Sequence, residues 1–340
     1  MKVLHISEAY GGGVTSAINT YAKNSEQFSH YLFASPRGND LTGEEGEGIY
    51  KETFFVPRSF KFITELKRVI KQLNPDVIHI HSTYAGAICR MLPFVPKEKS
   101  IYTPHGFAFL RDDHAVLLKA FFLIEKVLAN KTKFIAGCGR EERNIASTLI
   151  GESRAFELIN VCDPLPETAI IKSSTDLPVV GMIGRISNQK GYDFFLETAK
   201  ALSGKAHFKW IGGGDSEREA LLQEAGIEVT GWITRSEVVG HLKGIDLYFH
   251  TAAWEGFPIS VLEASQLGKQ ITLREIGPFS AEGLPTVKDI AEAKAQIQLW
   301  LEGDQAAIKQ ASAVSMAVNE YHSFEHLQQA LNTLYTQFTH

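Results

Sequence analysis

Trp254-Glu255-Gly256-Phe257-Pro258-Ile259-Ser260-Val261-Leu262-Glu263-Ala264 is the stretch that decides how the chain folds. The apolar run before it, Ile245 to Thr251, reads as a buried strand, and Pro258 suits a first helical position, where its missing N–H costs nothing. A strand, a loop and a helix N-terminus therefore follow one another. The amides of Phe257, Ile259 and Ser260 are expected to point outward with the positive end of the helix dipole behind them, which suits phosphate or sugar hydroxyls. Glu255 stands at that mouth, and Glu263 lies about two turns further on. A surface cap and an ordinary helix acid would be written in the same letters.

Outward from this stretch the second half repeats the pattern. Val179 to Gly184 is a strand ending in Arg185, and Ile186-Ser187-Asn188-Gln189-Lys190-Gly191 leads into a helix up to Leu202. Phe208 to Ile211 is a strand closed by Gly212-Gly213-Gly214-Asp215, a helix runs through Ala225, and Val229 to Ile233 is a short strand. The first half starts with a strand, Lys2 to Ser7, then Gly11-Gly12-Gly13 and a helical pattern over Val14 to Ala22. That order makes a backbone cradle for an anion or a bare tight turn; it lacks the spaced glycines of a dinucleotide fingerprint. Tyr31 to Ala34, Asp76 to His81, Ser100 to Thr103 and Lys133 to Gly137 read as further strands, with helices over Arg58 to Leu73 and Leu117 to Ala129. Arg37 to Gly48 reads as a polar, mobile loop. His79 and His81 alternate on a strand and so share a face. His105 follows a strand end, where ligands of parallel sheets gather, and is as well explained as a structural residue.

Alternation of strands and helices predicts α/β architecture with a parallel sheet covered on both faces. Prolines and polar residues at Asp163 to Pro166 and Lys172 to Pro178 mark a linker, so two domains are expected, 1–168 and 169–322, followed by a closing helix in 323–340. That helix carries Phe324, Leu327, Leu331, Leu334 and Phe338 on one face. With 340 residues, 44% of them hydrophobic and 21% charged, the chain has material for two cores. The net charge of -5 excludes nucleic acid as the main partner. Residues 51–154, by contrast, hold 17 Lys and Arg against 10 Asp and Glu. Neither a signal peptide nor a transmembrane helix is expected, since Met1 to Ser7 reads as a strand running into glycines. Cys89, Cys138 and Cys162 show no metal-site spacing, which fits core residues in a reducing cytoplasm.

Taken in order, Gly184-Arg185 with Lys190-Gly191, Ile211-Gly212-Gly213-Gly214-Asp215, Thr230-Gly231-Trp232 and Glu255-Gly256-Phe257-Pro258 through Glu263 resemble the donor half of the family-four retaining glycosyltransferases of the GT-B fold. Gly11 to Gly13 and Thr103-Pro104-His105-Gly106-Phe107 are similar to that family's first half, so the resemblance spans about 260 residues. It implies two Rossmann-like domains facing across a cleft, with the closing helix returning to the first domain. Arg185 and Lys190 are then expected to grip the diphosphate and replace a metal ion, and no metal site or cofactor is expected. Glu263 is expected to accept from the ribose diol and Glu255 to face the donor sugar. Gly256, Phe257, Pro258 and Ile259 would bring backbone to sugar and phosphate, with Gly12 and Gly13 completing the cradle. Trp232 and Ile233 would line the base pocket beside Gly213 and Gly214, and His105 would touch the sugar at the reacting centre.

The activity so implied is transfer of a sugar, with retention, from a nucleotide sugar, UDP-linked by expectation, to a saccharide or lipid-linked acceptor in surface polysaccharide assembly. A nucleotide-sugar epimerase or a non-catalytic sugar-nucleotide-binding protein of the same architecture is the alternative. The chain departs from the family at His250-Thr251, ahead of the first glutamate, and at Ala264-Ser265-Gln266. Lys61, Lys67, Arg68, Lys71, Lys119, Lys126, Lys131 and Lys133 lie on the two amphipathic stretches of the first half. They lead to the expectation of a cytoplasmic protein docked peripherally on the anionic inner face of the membrane, while ordinary solvated helix faces explain them equally well.

Overall fold

The computed structural model describes residues 1–36, 48–110 and 114–338, and most of the loop expected over Arg37 to Gly48 lies outside these. The chain divides into two compact units, Met1–Val161 with Ser323–His340, and Cys162–His322. The division falls within the irregular stretch 158–178, a little before the boundary expected at 168. The reason is that 162–172 is tied to the second unit. The Ile171 amide donates to the Gly240 carbonyl at 3.0 Å, and Lys243 Nζ to the Thr168 carbonyl at 2.9 Å.

Among the described residues of the first unit seven parallel strands form one sheet: β1 (Lys2–Tyr10), β2 (Ser29–Pro36), β3 (Glu52–Phe55), β4 (Val77–His81), β5 (Ser100–Thr103), β6 (Phe134–Gly137) and β7 (Ala155–Glu157). Their order is β3-β2-β1-β4-β5-β6-β7, so the chain reverses its winding between β1 and β4, which is where such sheets open a crevice. β1 runs past its expected end because both its faces are covered, and Val3, Leu4, Ile6 and Tyr10 are inaccessible to water. The helices that concern function are α1 (Gly12–Lys23), α2 (Phe60–Leu73), α3 (Thr83–Met91), α4 (Ala115–Leu128) and α5 (Arg140–Ile150). Neither α3, α5, β3 nor β7 was expected, since each is short or interrupted by polar residues that blur its period. The closing helix (Phe324–Thr336) belongs to this unit. Its Leu327, Leu331 and Leu334 are fully buried, each worth about 2 kcal/mol of transfer free energy.

The second unit repeats the architecture with five parallel strands: β8 (Val179–Ile183), β9 (His207–Ile211), β10 (Glu228–Val229), β11 (Leu247–His250) and β12 (Gln270–Leu273), in the order β10-β9-β8-β11-β12. Here the winding reverses between β8 and β11. Met182, Phe195, Trp210, Tyr248, Phe249, Val261 and Leu273 fill its core. Helices α6 (Tyr192–Ala201), α7 (Ser216–Glu224), α8 (Arg235–Gly244) and α9 (Ile259–Gln266) each start just past a strand end or its loop. The strand expected over Val229 to Ile233 shrinks to Glu228–Val229, because Gly231 turns the chain with φ +67°.

Candidate active site

In the second unit the loop after β8 is stitched to the loop after β11. Thr251 Oγ1 donates to the Lys190 carbonyl at 2.9 Å, and the Ala253 amide to the Gln189 carbonyl at 2.8 Å. Gly191 permits this approach: its φ is +65°, and a Cβ there would strike the Thr251 carbonyl oxygen. Held this way, Lys190 Nζ forms an ion pair with Glu255 Oε1. The two expected diphosphate cations are thus placed differently. Lys190 is engaged by Glu255, whereas Arg185 is exposed and forms no ion pair among the described residues; its Cζ lies 5.9 Å from the centre of the Trp232 ring.

Trp232, 68% exposed, lies against Gly213, where an added Cβ would come within 2.8 Å of the indole. Gly213, Trp232 and Arg185 therefore form one surface. Gly214, expected to line the base pocket, has its amide engaged within the unit, donating to Glu219 Oε1 at 2.7 Å. Ile233 is half-buried and packs on the core of the unit.

Around the opening stretch, Pro258 is the N-cap residue of α9 rather than its first helical residue. Ile259 and Ser260 then begin the helix, and their amides fall among those with no acceptor inside it. The Phe257 side chain is core: it is 2% exposed, with its ring centre 3.8 Å from that of His322. Gly256, half-buried, separates it from Glu255. Glu263 is buried, and Arg235 Nη2 meets its Oε1 at 2.5 Å. Burial pushes the Glu263 carboxyl upward and Arg235 opposes that shift. A ribose diol at this carboxylate would share it with the guanidinium.

In the first unit Gly12 and Gly13 are the first residues of α1 rather than part of a loop, and both are exposed. Gly12 has φ +57°, and a Cβ at either position would touch nothing. His105 sits at the end of β5 with φ +51°, a left-handed conformation that costs a residue with a Cβ about 1 kcal/mol or more. The next amide, that of Gly106, donates to Glu142 Oε1 at 2.5 Å and helps hold the turn. His105 Nε2 lies 3.0 Å from His81 Nδ1, and burial lowers the His105 imidazole to about 4, so it is neutral at physiological pH.

Residues 10–155 match the model of the glycosyltransferase family 4 domain, and residues 177–284 that of the group 1 glycosyl transferases. The chain belongs to the family-four glycosyltransferases of the GT-B fold. An uncharacterized 41.2 kDa protein of the Klebsiella pneumoniae cps region is 26% identical over 81% of each chain. The N,N'-diacetylbacillosaminyl-diphospho-undecaprenol alpha-1,3-N-acetylgalactosaminyltransferase of Campylobacter jejuni is 31% identical over 42% of this chain and 41% of its own. Among solved structures, Anabaena Alr3699/HepE in complex with UDP superposes with a TM-score of 0.76 at 16% identity, over 99% of this chain and 100% of that one.

For a glycosyltransferase site, the residue that sequence reasoning missed is Arg235. The signal was present in Thr234 and Glu237, which form a reciprocal capping box and start α8 directly after the Trp232 loop. The departure at His250 is also explained. His250 is fully buried, its Nδ1 is 3.2 Å from the Tyr248 hydroxyl, and burial together with the nearby Lys190 charge keeps it neutral. Cys89 and Cys138 are buried, and burial pushes the Cys89 and Cys162 thiols up to about 12, which disfavours the thiolate form that a nucleophile needs.

Proposed function

We propose that this glycosyltransferase moves a sugar from a UDP-sugar to a lipid-linked saccharide during surface polysaccharide assembly, with retention at the anomeric carbon. The observation that carries this reading is the grouping of Arg185, Lys190, Glu255 and Trp232 at the strand ends of one Rossmann-like unit. As the bond from the anomeric carbon to the diphosphate oxygen breaks, negative charge collects on the leaving group, and fixed cations stabilise that charge. Arg185 offers a planar fork and Lys190 a point charge. Glu255 orients Lys190 and meets a sugar hydroxyl, while the acceptor hydroxyl passes its proton to the departing phosphate oxygen. Trp232 gives the uracil ring an aromatic face. Side-chain cations do the work that a divalent metal would do, so no metal is needed. The Anabaena protein was solved in complex with UDP, and the Campylobacter relative is named for an undecaprenol-linked substrate; these two facts support the donor and acceptor assignments.

The lipid-linked acceptor is supported by α4, whose polarity runs inside out. Its buried Glu125 pairs with buried Arg90 at 2.8 Å and accepts from the Tyr102 hydroxyl at 2.9 Å. Its Val116, Leu123, Ile124 and Val127 are exposed beside Lys119 and Lys126. An apolar, lysine-flanked surface of this kind fits shallow insertion into an anionic leaflet. In α2, by contrast, Phe62, Leu66 and Val69 are buried in the core, which leaves its charged face and Phe60 at its first position for such contact. Among the described residues no helix is long and apolar enough to cross a membrane. The test is incubation with a panel of nucleotide sugars, with and without polyprenyl diphosphate-linked saccharides, scoring nucleoside diphosphate release. Acceptor-dependent release of UDP is expected. Release of another nucleotide only, or of none with any lipid-linked acceptor, overturns the assignment.

A further inference from the structure

On one face of the first sheet, β2, β1 and β4 carry His30, His5, His79 and His81, and His105 follows from the end of β5. Four of these imidazoles join nitrogen to nitrogen. His105 Nε2 meets His81 Nδ1, His81 Nε2 meets His5 Nδ1, and His5 Nε2 meets His30 Nδ1, each at 3.0 Å. Neighbouring ring centres are 5.2 to 5.3 Å apart with planes inclined by 22 to 31°, the separation of rings joined end to end through such contacts. At the inner end His30 Nε2 faces Ser25, with the carbonyl at 2.9 Å and the hydroxyl oxygen at 3.1 Å.

Ser25 sets the direction of the whole chain. Its carbonyl can only accept, and its hydroxyl proton is donated to the Tyr21 carbonyl at 2.7 Å, so both oxygens are acceptors toward His30. His30 Nε2 must therefore carry the hydrogen. A neutral imidazole has one N–H, so His30 Nδ1 is bare and accepts from His5 Nε2. The same reasoning makes His5 donate to His30 and accept from His81, and makes His81 accept from His105. Burial keeps His5, His30 and His81 neutral, which leaves no imidazolium to reverse the order. His79 is not bound by this rule, because both its partners, the Tyr335 and Thr103 hydroxyls, can donate or accept.

We propose that the Ser25 carbonyl, acting through the positioning residues His30, His5 and His81, fixes His105 with its hydrogen on Nε2 and leaves Nδ1 as a hydrogen-bond acceptor for a sugar hydroxyl. The role given to Nδ1 rests on the reading above that His105 meets the sugar; the tautomer itself does not. A fixed donor direction makes His105 select a hydroxyl at that place and reject an acceptor-only substituent, since an unpaired acceptor pair is penalised.

The full-length protein, labelled with nitrogen-15 in histidine and free of substrate, tests this by two-bond proton–nitrogen correlation at neutral pH. His30, His5, His81 and His105 are all expected to show a protonated Nε2 and a bare Nδ1. An Nδ1–H pattern at His5, His81 or His105, or uptake of one equivalent of Zn2+ with loss of the His5 and His81 N–H signals, overturns the proposal. His30→Leu removes the anchor, and His105 is then expected to show mixed tautomers, with sugar transfer slowed on the order of tenfold. In His30→Gln the amide accepts from His5 and donates to Ser25, so the parent pattern and rate should return. A His105 signal unchanged in His30→Leu refutes the relay, and if that variant does not fold, the parent spectrum decides alone. Absence of sugar transfer alongside the expected tautomers would count against the proposed function and leave this inference standing.

Discussion

Both units are parallel sheets wound the same way, yet the polar clusters described above near their strand ends are built differently, even though the first unit also buries the Arg90–Glu125 ion pair and the second the neutral ring of His250. The first uses neutral rings: His5, His79 and His81 are inaccessible to water, and each is hydrogen-bonded at both nitrogens. The second uses charges, pairing Lys190 with Glu255 and Arg235 with Glu263. Neutral rings avoid the cost of desolvating ions but become a liability when protons are plentiful. Charged pairs stabilise developing charge on a substrate but leave a buried ion behind when one partner is removed. The difference suits the proposed roles, a fixed acceptor in the first unit and a diphosphate site in the second.

Acid should expose this difference most strongly. Burial holds the His5, His79 and His81 imidazoles well below 6.5 in the folded protein, so the unfolded chain takes up protons first. Their contribution to stability is complete above 6.5 and is lost as the pH falls below it, by about 1.4 kcal/mol per pH unit for each ring. Urea titrations should show a loss of roughly 3 kcal/mol from these three rings over the first pH unit below that point, to which His30, His105 and His250, also lowered by burial, add. Replacing His79 with Gln should remove about 1 kcal/mol of that loss. A flat profile between neutral pH and the first unit of acid would mean that the rings are not held neutral.

Lys190→Ala attacks the other arrangement. It removes the cation from the diphosphate and leaves Glu255 without its partner, so transfer should fall by about a hundredfold or more with weaker UDP binding by calorimetry. Arg185→Ala should weaken UDP binding as well, but without an orphaned carboxylate, since Arg185 forms no ion pair among the described residues. Equal UDP affinity in both variants and the parent would remove the diphosphate assignment.

Arg235→Ala leaves Glu263 buried with its main counter-charge gone. Because Arg235 is itself half-exposed, the expected cost is about 1–2 kcal/mol rather than the full penalty of a deeply buried pair. Adding Glu263→Gln should recover most of it, and thermal denaturation of the single and double variants measures the coupling. The smallest effect belongs to chelation. If side-chain cations serve the leaving group, transfer rates with and without EDTA should agree, and activity restored by magnesium would assign that task to a metal.

Legibility in the sequence followed period and punctuation. The strand at Ser100–Thr103 and the closing helix were readable, because continuous apolar runs and a three-to-four residue spacing leave few alternatives. Strand ends and glycine turns likewise located a ligand edge before any contact was known, whereas the choice of Arg185, Lys190, Glu255 and Glu263 along it came from the family resemblance. Helices α3 and α5 were not readable, since polar residues such as Thr83, Arg140 and Glu142 interrupt their pattern. Nor did the letters distinguish the Gly214 amide, which Glu219 takes, from one open to a ligand.

By itself, then, the sequence determined two α/β units, the donor motifs and the family they resemble, because those depend on local periodicity and on residues close together in the chain. Tertiary structure alone decided which groups are paired: Lys190 with Glu255 across 65 positions, Arg235 with Glu263, and His5 with His81 across 76. It also decided that the helix carrying Val116 and Leu123 shows its apolar side chains to solvent while hiding Glu125. Pairing of this kind depends on strand register and loop stitching, which bring distant residues within 3 Å and leave no trace in spacing along the chain.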